Sequence, residues 1–238
     1  MSRVLLLCSV VLASGCSPVV YVPAPVPSAA GHRGVRLGAE GNVTFGQQAL
    51  CLDASPAEAV SGFGRVVRAS NGEGAPASRR FRHVGAEAGA VLQGRLGDDL
   101  AADLGVAVGR DRVRARGVTL DAGESVQADL RADVSRVGVH VGVFGLGRRG
   151  ADEPFRVGPA VRFTRLVVRS LRREDTGADL GDASGFMAEP ILRGRIASGR
   201  VDAEVQAGIV VQIQGDLRGR FEVSPLLLGA RLGVRLFF

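Results

Sequence analysis

The residues of this 238-residue chain that are best suited to acid–base or nucleophilic chemistry surround His140. A histidine beside a serine and an acid can activate a nucleophile, and Ser135 and Asp133 lie close before it in sequence. His140 itself lies between Gly138 and Gly142, on one face of an inferred strand. Because no nucleophile motif accompanies these residues, we predict that the chain is not an enzyme and that His140 belongs to a polar network.

Metal and cofactor chemistry find equally little support in the sequence. The three histidines, His32, His83 and His140, are far apart and lack the spacing of metal ligands. Residues 145–150 match the pattern G-x-G-x-x-G, but a dinucleotide site needs a helix directly after it, and Pro154 follows instead. We therefore expect neither a metal nor a cofactor.

The positive charge of the chain is carried by arginine alone, with no lysine and a net charge of +6. Such a balance can indicate a nucleic-acid partner. Here, however, acidic residues alternate with the arginines, as in residues 129–133, and no basic stripe carries interleaved aromatic side chains. We therefore expect no nucleic-acid partner.

The N-terminus has the character of an exported protein. Arg3 precedes a short apolar stretch and small residues follow, which is typical of a secretory signal peptide. Cys16 comes directly after Ala13-Ser14-Gly15. A thiol can accept a diacylglyceryl group, and small residues before it would admit a peptidase. An ordinary signal peptide cleaved near Ala13 is the alternative.

Ala13-Ser14-Gly15-Cys16 resembles the lipobox of bacterial lipoproteins. The resemblance implies that Cys16 becomes the first mature residue and carries the lipid, and Ser17 after it favours the outer membrane. Residues 1–15 are then a signal peptide, 16–32 a lipidated cysteine with a proline-rich linker, and 33–238 a β-barrel domain. Four prolines in the linker predict a semi-rigid spacer that separates the lipid from the folded domain.

From about residue 33 the hydropathy pattern has a period of two. In residues 201–213 the odd positions are apolar and most even ones are polar, and residues 126–134 alternate likewise. The last segment, 226–238, places Arg231 and Arg235 on one face and only apolar residues on the other. This periodicity predicts antiparallel strands and an all-β fold.

The length of the alternating runs favours a membrane barrel over a soluble sheet. Soluble strands average ~5–6 residues and tilted transmembrane strands need ~9–11, whereas the run at 201–213 is longer than either. A membrane barrel turns its apolar face outward and its polar and small residues inward. The 34 glycines would then make room for arginines inside. We predict an up-and-down transmembrane barrel of eight to ten strands, with eight favoured and both termini in the periplasm.

A barrel of eight strands is filled by its own side chains, so charges inside it must pair with one another. The side chains that we assign to this lumen network are Asp129, Arg131, Asp133, His140, Arg193, Arg195, Asp202, Glu204, Arg231 and Arg235. Two interpretations stay open for the loop arginines, contact with anionic lipid headgroups or simple solvation in the loops; these residues are Arg110, Arg112, Arg114, Arg116, Arg169, Arg172 and Arg173.

Three finer expectations follow from the same pattern. The phenylalanines near inferred strand ends, such as Phe81, Phe144 and Phe221, predict aromatic girdles at the membrane interfaces, with ordinary core aromatics as the alternative. Residues 110–124 are expected to form a long polar loop. If residues 125–145 form one strand, the apolar parity flips between Val134 and Val137, which predicts a bulge. Residues 47–69 give no clear pattern.

The C-terminal strand, residues 226–238 ending in Phe238, resembles the terminal signal of bacterial outer-membrane β-barrel proteins, among them the small eight-stranded superfamily. The resemblance implies a porin-like barrel architecture and recognition by the barrel-assembly machinery, with membrane lipid as a further partner. We therefore expect an outer-membrane lipoprotein with a structural or surface-interaction role. The alternative is a soluble periplasmic β-sandwich or barrel, tethered by its lipid, that acts as a binding or scaffold module.

Overall fold

The computed structural model describes residues 19–21, 23–27, 34–42, 47–57, 59–70, 81–121, 125–148, 154–217 and 221–236, and most of them lie in β-strands. No helix among these residues is long and apolar enough to cross a membrane. The strands are β1 (Val19–Tyr21), β2 (Gly34–Asn42), β3 (Gln47–Ala57), β4 (Val60–Ser70), β5 (Phe81–Arg95), β6 (Leu100–Asp121), β7 (Ser125–Arg148), β8 (Pro154–Arg173), β9 (Ala183–Ser198), β10 (Val201–Ile209), β11 (Val211–Gly215), β12 (Glu222–Val223) and β13 (Leu226–Leu236).

The large sheet closes on itself. Each strand from β2 to β9 pairs antiparallel with the next, and β10 closes the ring by pairing with both β9 and β13. Since β10 and β11 are two halves of one strand interrupted at Val210, ten strands form the barrel in the described part of the chain. The predicted all-β antiparallel barrel is confirmed, with ten strands rather than the favoured eight. Both β3 and β4 lie in the segment that gave no clear pattern.

The two ends of the barrel differ in their connections. At one end, here called the long-loop end, the connections reach ten residues, as in 71–80 and 216–225. At the opposite end, here called the short-turn end, they have at most five residues, as in 58–59 and 199–200. Gly34, which begins β2, and Leu236, which ends β13, both lie at the short-turn end.

Strands β6 and β7 extend well past their neighbours at the long-loop end, so the predicted loop 110–124 is wrong. These residues continue β6 to Asp121, and β7 starts at Ser125. The predicted bulge between Val134 and Val137 is wrong too, because β6 and β7 pair without interruption from Leu100–Gly145 to Ala115–Leu130. Val134 points inward and Val137 outward, as an unbroken strand requires.

The apparent parity flip has a physical cause in the barrel interior. Beyond Val134 the inward face of the extension is apolar and packs into a buried cluster at the long-loop end, here called the apolar cap. Its members are Tyr21, Ala69, Phe81, Val113, Ala115, Leu130, Ala132, Val134, Leu166, Val168, Leu171, Ala183, Met187, Leu217 and Phe221. The strand therefore keeps its parity while its inner surroundings change from polar to apolar.

An apolar belt surrounds the outside of the barrel. Each of the ten barrel strands exposes at least one large aliphatic or phenylalanine side chain in the described residues, and Leu50 is 74% exposed. On β7, Val137, Val139, Val141 and Val143 follow one another on the outer face. Soluble monomers rarely expose contiguous apolar patches of more than a few hundred Å², so a belt of this kind is unusual for a soluble monomer.

The predicted aromatic girdles are wrong for three phenylalanines. Phe81, Phe144 and Phe221 are buried inside the barrel. Phe163 and Phe186 do lie on the outer surface, where their rings stack with centroids 6.3 Å apart. Phe144 lies beneath the Arg193 guanidinium, whereas Phe81 and Phe221 are members of the apolar cap.

Candidate functional site

The barrel interior is densely charged and electrically balanced. Among the described residues, eight arginines and eight carboxylates are buried. The arginines are Arg36, Arg65, Arg136, Arg162, Arg193, Arg195, Arg231 and Arg235, and the carboxylates are Glu40, Asp53, Glu87, Asp103, Asp111, Glu189, Asp202 and Glu204. Because an unpaired charge in such surroundings is very costly, these buried groups are expected to pair with one another.

Most of these groups form one continuous series of ion pairs, here called the charge ladder. Near the short-turn end, Arg36 Nε lies 2.6 Å from Asp53 Oδ2, and Arg36 Nη1 lies 2.7 Å from Asp202 Oδ2. Arg195 adds a second contact to Asp202 at 2.5 Å. Arg231 then pairs with Asp53, so the guanidinium groups and carboxylates alternate in space.

The charge ladder continues across the barrel through Glu40, which Arg231 contacts at 3.3 Å. Arg65 Nη1 donates to Glu40 at 2.8 Å, and the same guanidinium pairs with Glu87. Arg136 Nε donates to the other oxygen of Glu87 at 2.7 Å, and Arg136 also pairs with Asp111. Glu87 thus holds two guanidinium groups in the centre of the ladder.

Two smaller groups of polar side chains also lie in the interior. Arg193 donates to both oxygens of Asp103 at 2.8 Å, and His140 Nε2 lies 3.9 Å from the same carboxylate. Arg162 Nε donates to Glu189 at 3.0 Å, and Thr164 Oγ1 donates to the other Glu189 oxygen at 2.6 Å. Each of these carboxylates has a charged partner within the barrel.

The structure divides the predicted lumen network into two sets. The members that it brings together in the interior are His140, Arg193, Arg195, Asp202, Glu204, Arg231 and Arg235. Asp129, Arg131 and Asp133 lie instead on the outer face of the β7 extension, where Asp133 pairs with exposed Arg112 at 3.3 Å. Assigning these three to the lumen is corrected, because beyond Val134 the apolar residues occupy the inner face.

The constellation of His140, Ser135 and Asp133 is not assembled. His140 points into the barrel, whereas Ser135 and Asp133 lie on the opposite face of the same strand. Nor do the described residues contain any group of three or more His, Cys, Asp or Glu side chains placed to hold a metal ion.

Sequence reasoning missed ten of the sixteen buried charges among the described residues. The buried charges that it did not name are Arg36, Glu40, Asp53, Arg65, Glu87, Asp103, Asp111, Arg136, Arg162 and Glu189. Their signal was present for nine of the ten, which stand between apolar or small neighbours of the same strand, as Glu87 does between Ala86 and Ala88. Asp111 is the exception, because it lies between Arg110 and Arg112. Single charged residues at inward-facing strand positions are the sequence feature that indicates interior charges.

Glycines on the inner face make room for the guanidinium groups, as the sequence had suggested. A β-carbon on Gly109 would lie 2.5 Å from Arg136 Nε, and one on Gly142 would collide with Arg193 and Asp103. Two outward glycines, Gly64 and Gly94, have nothing within 4 Å of that position. At these four glycines, close contacts with side chains therefore occur on the charged inner face and not on the outer face.

A piece of the N-terminal chain lies inside the barrel. Tyr21 and residues 23–27, here called the lumen segment, are buried. The Tyr21 hydroxyl accepts a hydrogen bond from Arg136 Nη1 at 2.7 Å, and its ring lies 4.9 Å from that of His83. Where the sequence predicts a spacer, the described part of this stretch fills the interior and joins the charge ladder.

The remaining contacts of the lumen segment fix its backbone. Val26 N donates to Gln206 Oε1 at 2.8 Å, and Gln206 Nε2 donates to Val26 O at 2.5 Å. Ala24 packs against Ala49, Cys51 and Val67. Residues 23, 25 and 27 are prolines, which have no N–H to satisfy, so the segment enters the interior with few backbone donors.

Comparison with known proteins gives little. No protein-family model matches the sequence, and no curated protein matches it. Among solved structures, the chain is similar to the β domain of the Bordetella autotransporter BrkA, with 12% sequence identity. The match covers 86% of this chain and 98% of that one, with a TM-score of 0.45.

Proposed function

We propose that this protein is an integral outer-membrane β-barrel, lipidated at Cys16, with a structural or surface-interaction role and no catalytic activity. The observation that carries the proposal is the apolar belt around a charged interior. Lipid-facing strands are apolar outside and polar inside, whereas a sheet facing water keeps its apolar face in the core. The barrel follows the membrane pattern on all of its described strands.

The alternative, a soluble barrel tethered by lipid, conflicts with the outer face of β7. Val137, Val139, Val141 and Val143 would stand in water on one strand alone, at exposures of 37–51%. The neighbouring β6 presents Leu104, Val106 and Val108 beside them. Exposure of these apolar side chains to water is unfavourable, whereas contact with lipid acyl chains removes their surface from water.

An arginine rim supports an anionic lipid partner. At the long-loop end, the first outward residue beyond the belt is an arginine on four described strands, namely Arg68, Arg82, Arg110 and Arg165. Arginine binds phosphate oxygens through its planar fork. Outer-membrane barrels keep their longer loops outside, so we place the long-loop end and its arginine rim at the outer leaflet.

The other arginines considered for lipid headgroups differ in the acidic side chains that lie near them. Arg112 and Arg116 contact Asp133 and Asp129, and Arg114 contacts Glu174 at 3.3 Å. The first two pairs join β6 to β7, while Glu174 lies in the connection after β8. Arg169 and Arg172 lie on the exposed end of β8. Arg173 Nη2 donates to Asp175 at 2.6 Å, and this hydrogen bond lowers the pKa of the Asp175 carboxyl. Of the expected set, Arg110 is the one at the edge of the belt.

Two functional assignments concern residues outside the described part of the chain, Cys16 and Phe238. For Cys16 the proposal depends on its lipobox-like context. For Phe238 it depends on β13, whose outward Leu228, Leu232 and Val234 precede it in strict alternation. We include recognition of this strand by the barrel-assembly machinery in the proposal.

Two measurements test the proposed function. Detergent-folded protein loaded on an SDS gel without boiling is expected to migrate faster than boiled protein, because a closed barrel resists SDS. In cells, the Cys16→Ala variant is expected to stay in the carbonate-resistant membrane fraction, since the belt holds it there. Release of that variant by carbonate, together with no gel shift, would favour the tethered soluble domain.

A further inference from the structure

The lumen segment joins two stretches of chain that lie at opposite ends of the barrel. On its C-terminal side, Gly34 begins β2 at the short-turn end. On its N-terminal side, β1 pairs in parallel with β12, which lies within the connection 216–225 at the long-loop end. Val19 is opposite Glu222, and Ser224 N donates to Tyr21 O at 2.9 Å.

The connection that holds β1 belongs to the long-loop end by its own packing. Leu217 and Phe221 are buried in the apolar cap together with Leu130 and Leu171, and the Tyr21 ring lies 6.2 Å from that of Phe221. The following residues contact the barrel wall, since Ala24 packs on Ala49 and Val26 on Ile191 and Leu227. The chain therefore enters the interior beneath the apolar cap and must reach the short-turn end before β2.

Residues of the barrel wall hold this path in place. The Gln206 side chain accepts a hydrogen bond from Val26 N and donates one to Val26 O, and Arg136 donates to the Tyr21 hydroxyl. Gly229 leaves the space in which Pro25 lies, because a β-carbon there would be 2.7 Å from the proline ring. Contacts from three different strands thus select one course for the segment.

We infer that the barrel threads its own N-terminal segment through the lumen and displays the N-terminus at the long-loop end. Cys16 is three residues before Val19, a distance of at most about 11 Å for an extended chain. The inference depends on the proposed function for the lipid and for the orientation. On that basis the acyl chains of Cys16 enter the outer leaflet, and the lipidated end faces the cell exterior.

This arrangement replaces the expectation that both ends of the barrel protein lie in the periplasm. Val19 and Leu236 lie toward opposite ends of the barrel. The described part of the threaded segment, Tyr21 and residues 23–27, occupies space inside the barrel.

The test labels single cysteines in intact cells with a membrane-impermeant maleimide. Pro18→Cys reports the N-terminal side of the lumen segment. Thr176→Cys, in the exposed connection 174–182, marks the long-loop end, and Asp98→Cys, in the exposed turn 96–99, marks the short-turn end. Cys51 is buried and the Cys16 thiol is blocked by lipid under the proposed function, so the unsubstituted protein sets the background.

Pro18→Cys is expected to react in intact cells as extensively as Thr176→Cys, while Asp98→Cys reacts only after the cells are permeabilised. The inference is overturned if Pro18→Cys reacts only after permeabilisation, or not at all, while Thr176→Cys reacts in intact cells. If Thr176→Cys is itself protected in cells whose barrel shows the gel shift, the proposed orientation fails and the outward display fails with it.

Discussion

Replacing Glu87 by glutamine is expected to lower the free energy of unfolding by about 3–5 kcal/mol, the cost of breaking a buried ion pair by removing one partner. The carboxylate of Glu87 contacts both Arg65 and Arg136, and all three side chains are buried. Glutamine keeps the size of the side chain and removes its charge, so two guanidinium groups lose their shared partner.

The matched control is Asp133→Asn, which also removes a carboxylate that pairs with an arginine. The Arg112–Asp133 pair is exposed, with side-chain exposures of 61% and 47%, and such pairs contribute about 0.2–1 kcal/mol. Urea unfolding in detergent, followed by loss of the fast-migrating gel band, measures both variants. Equal losses for Glu87→Gln and Asp133→Asn would show that the charge ladder does not stabilise the barrel.

Replacing Val139 by arginine is expected to cost about 2–4 kcal/mol, as a cation costs at the lipid face near the bilayer midplane. Val139 lies on the outer face of β7 between Val137 and Val141. In a soluble barrel the same arginine would point into water and change stability little. The substitution therefore separates the two proposed environments of the belt.

Val167→Arg is the control for Val139→Arg, because it makes the same change on an outward position of β8 beyond Arg165 and the belt. There the cost falls to about 0–1 kcal/mol, as near an interface. Unfolding of both variants in lipid vesicles gives the comparison. Tolerance of Val139→Arg to the same degree as Val167→Arg would contradict a lipid-facing belt.

Local alternation was enough to predict much of the barrel. The period of two in residues 201–213 and 226–238 became β10, β11 and β13, and residues 125–145 became part of a single long strand. It failed at 47–69 because the inner face there mixes polar residues with Ala49, Cys51 and Val67, which contact the lumen segment. On the outer face of β4, Gly62 and Gly64 weaken the contrast further.

Alternation separates two faces but does not say which of them is inside. Along β7 the outer face changes from valines in the belt to Asp133 and Asp129 beyond it, because the strand passes from an apolar environment into water. The assignment of residues 129–133 to the lumen failed for this reason. The alternation of the two faces was assigned correctly, but the surroundings of each face change along the strand.

The lumen segment could not be predicted from local composition. A proline-rich stretch has the character of a spacer in sequence, and its burial depends on partners far along the chain. Val26 is bound by Gln206, which is 180 residues away, and Tyr21 by Arg136, which is 115 residues away. Such contacts exist only once the barrel has closed.

The central claim, that the apolar belt faces lipid, is tested most directly by fluorescence. The chain has no tryptophan, so Val139→Trp introduces a single probe at the belt, and Thr176→Trp provides the reference in an exposed loop. Both are folded into vesicles of lipid brominated along the acyl chains, which quenches only tryptophans in contact with those chains. We predict strong quenching of Val139→Trp and little of Thr176→Trp, and quenching of Val139→Trp no greater than that of Thr176→Trp would contradict the claim.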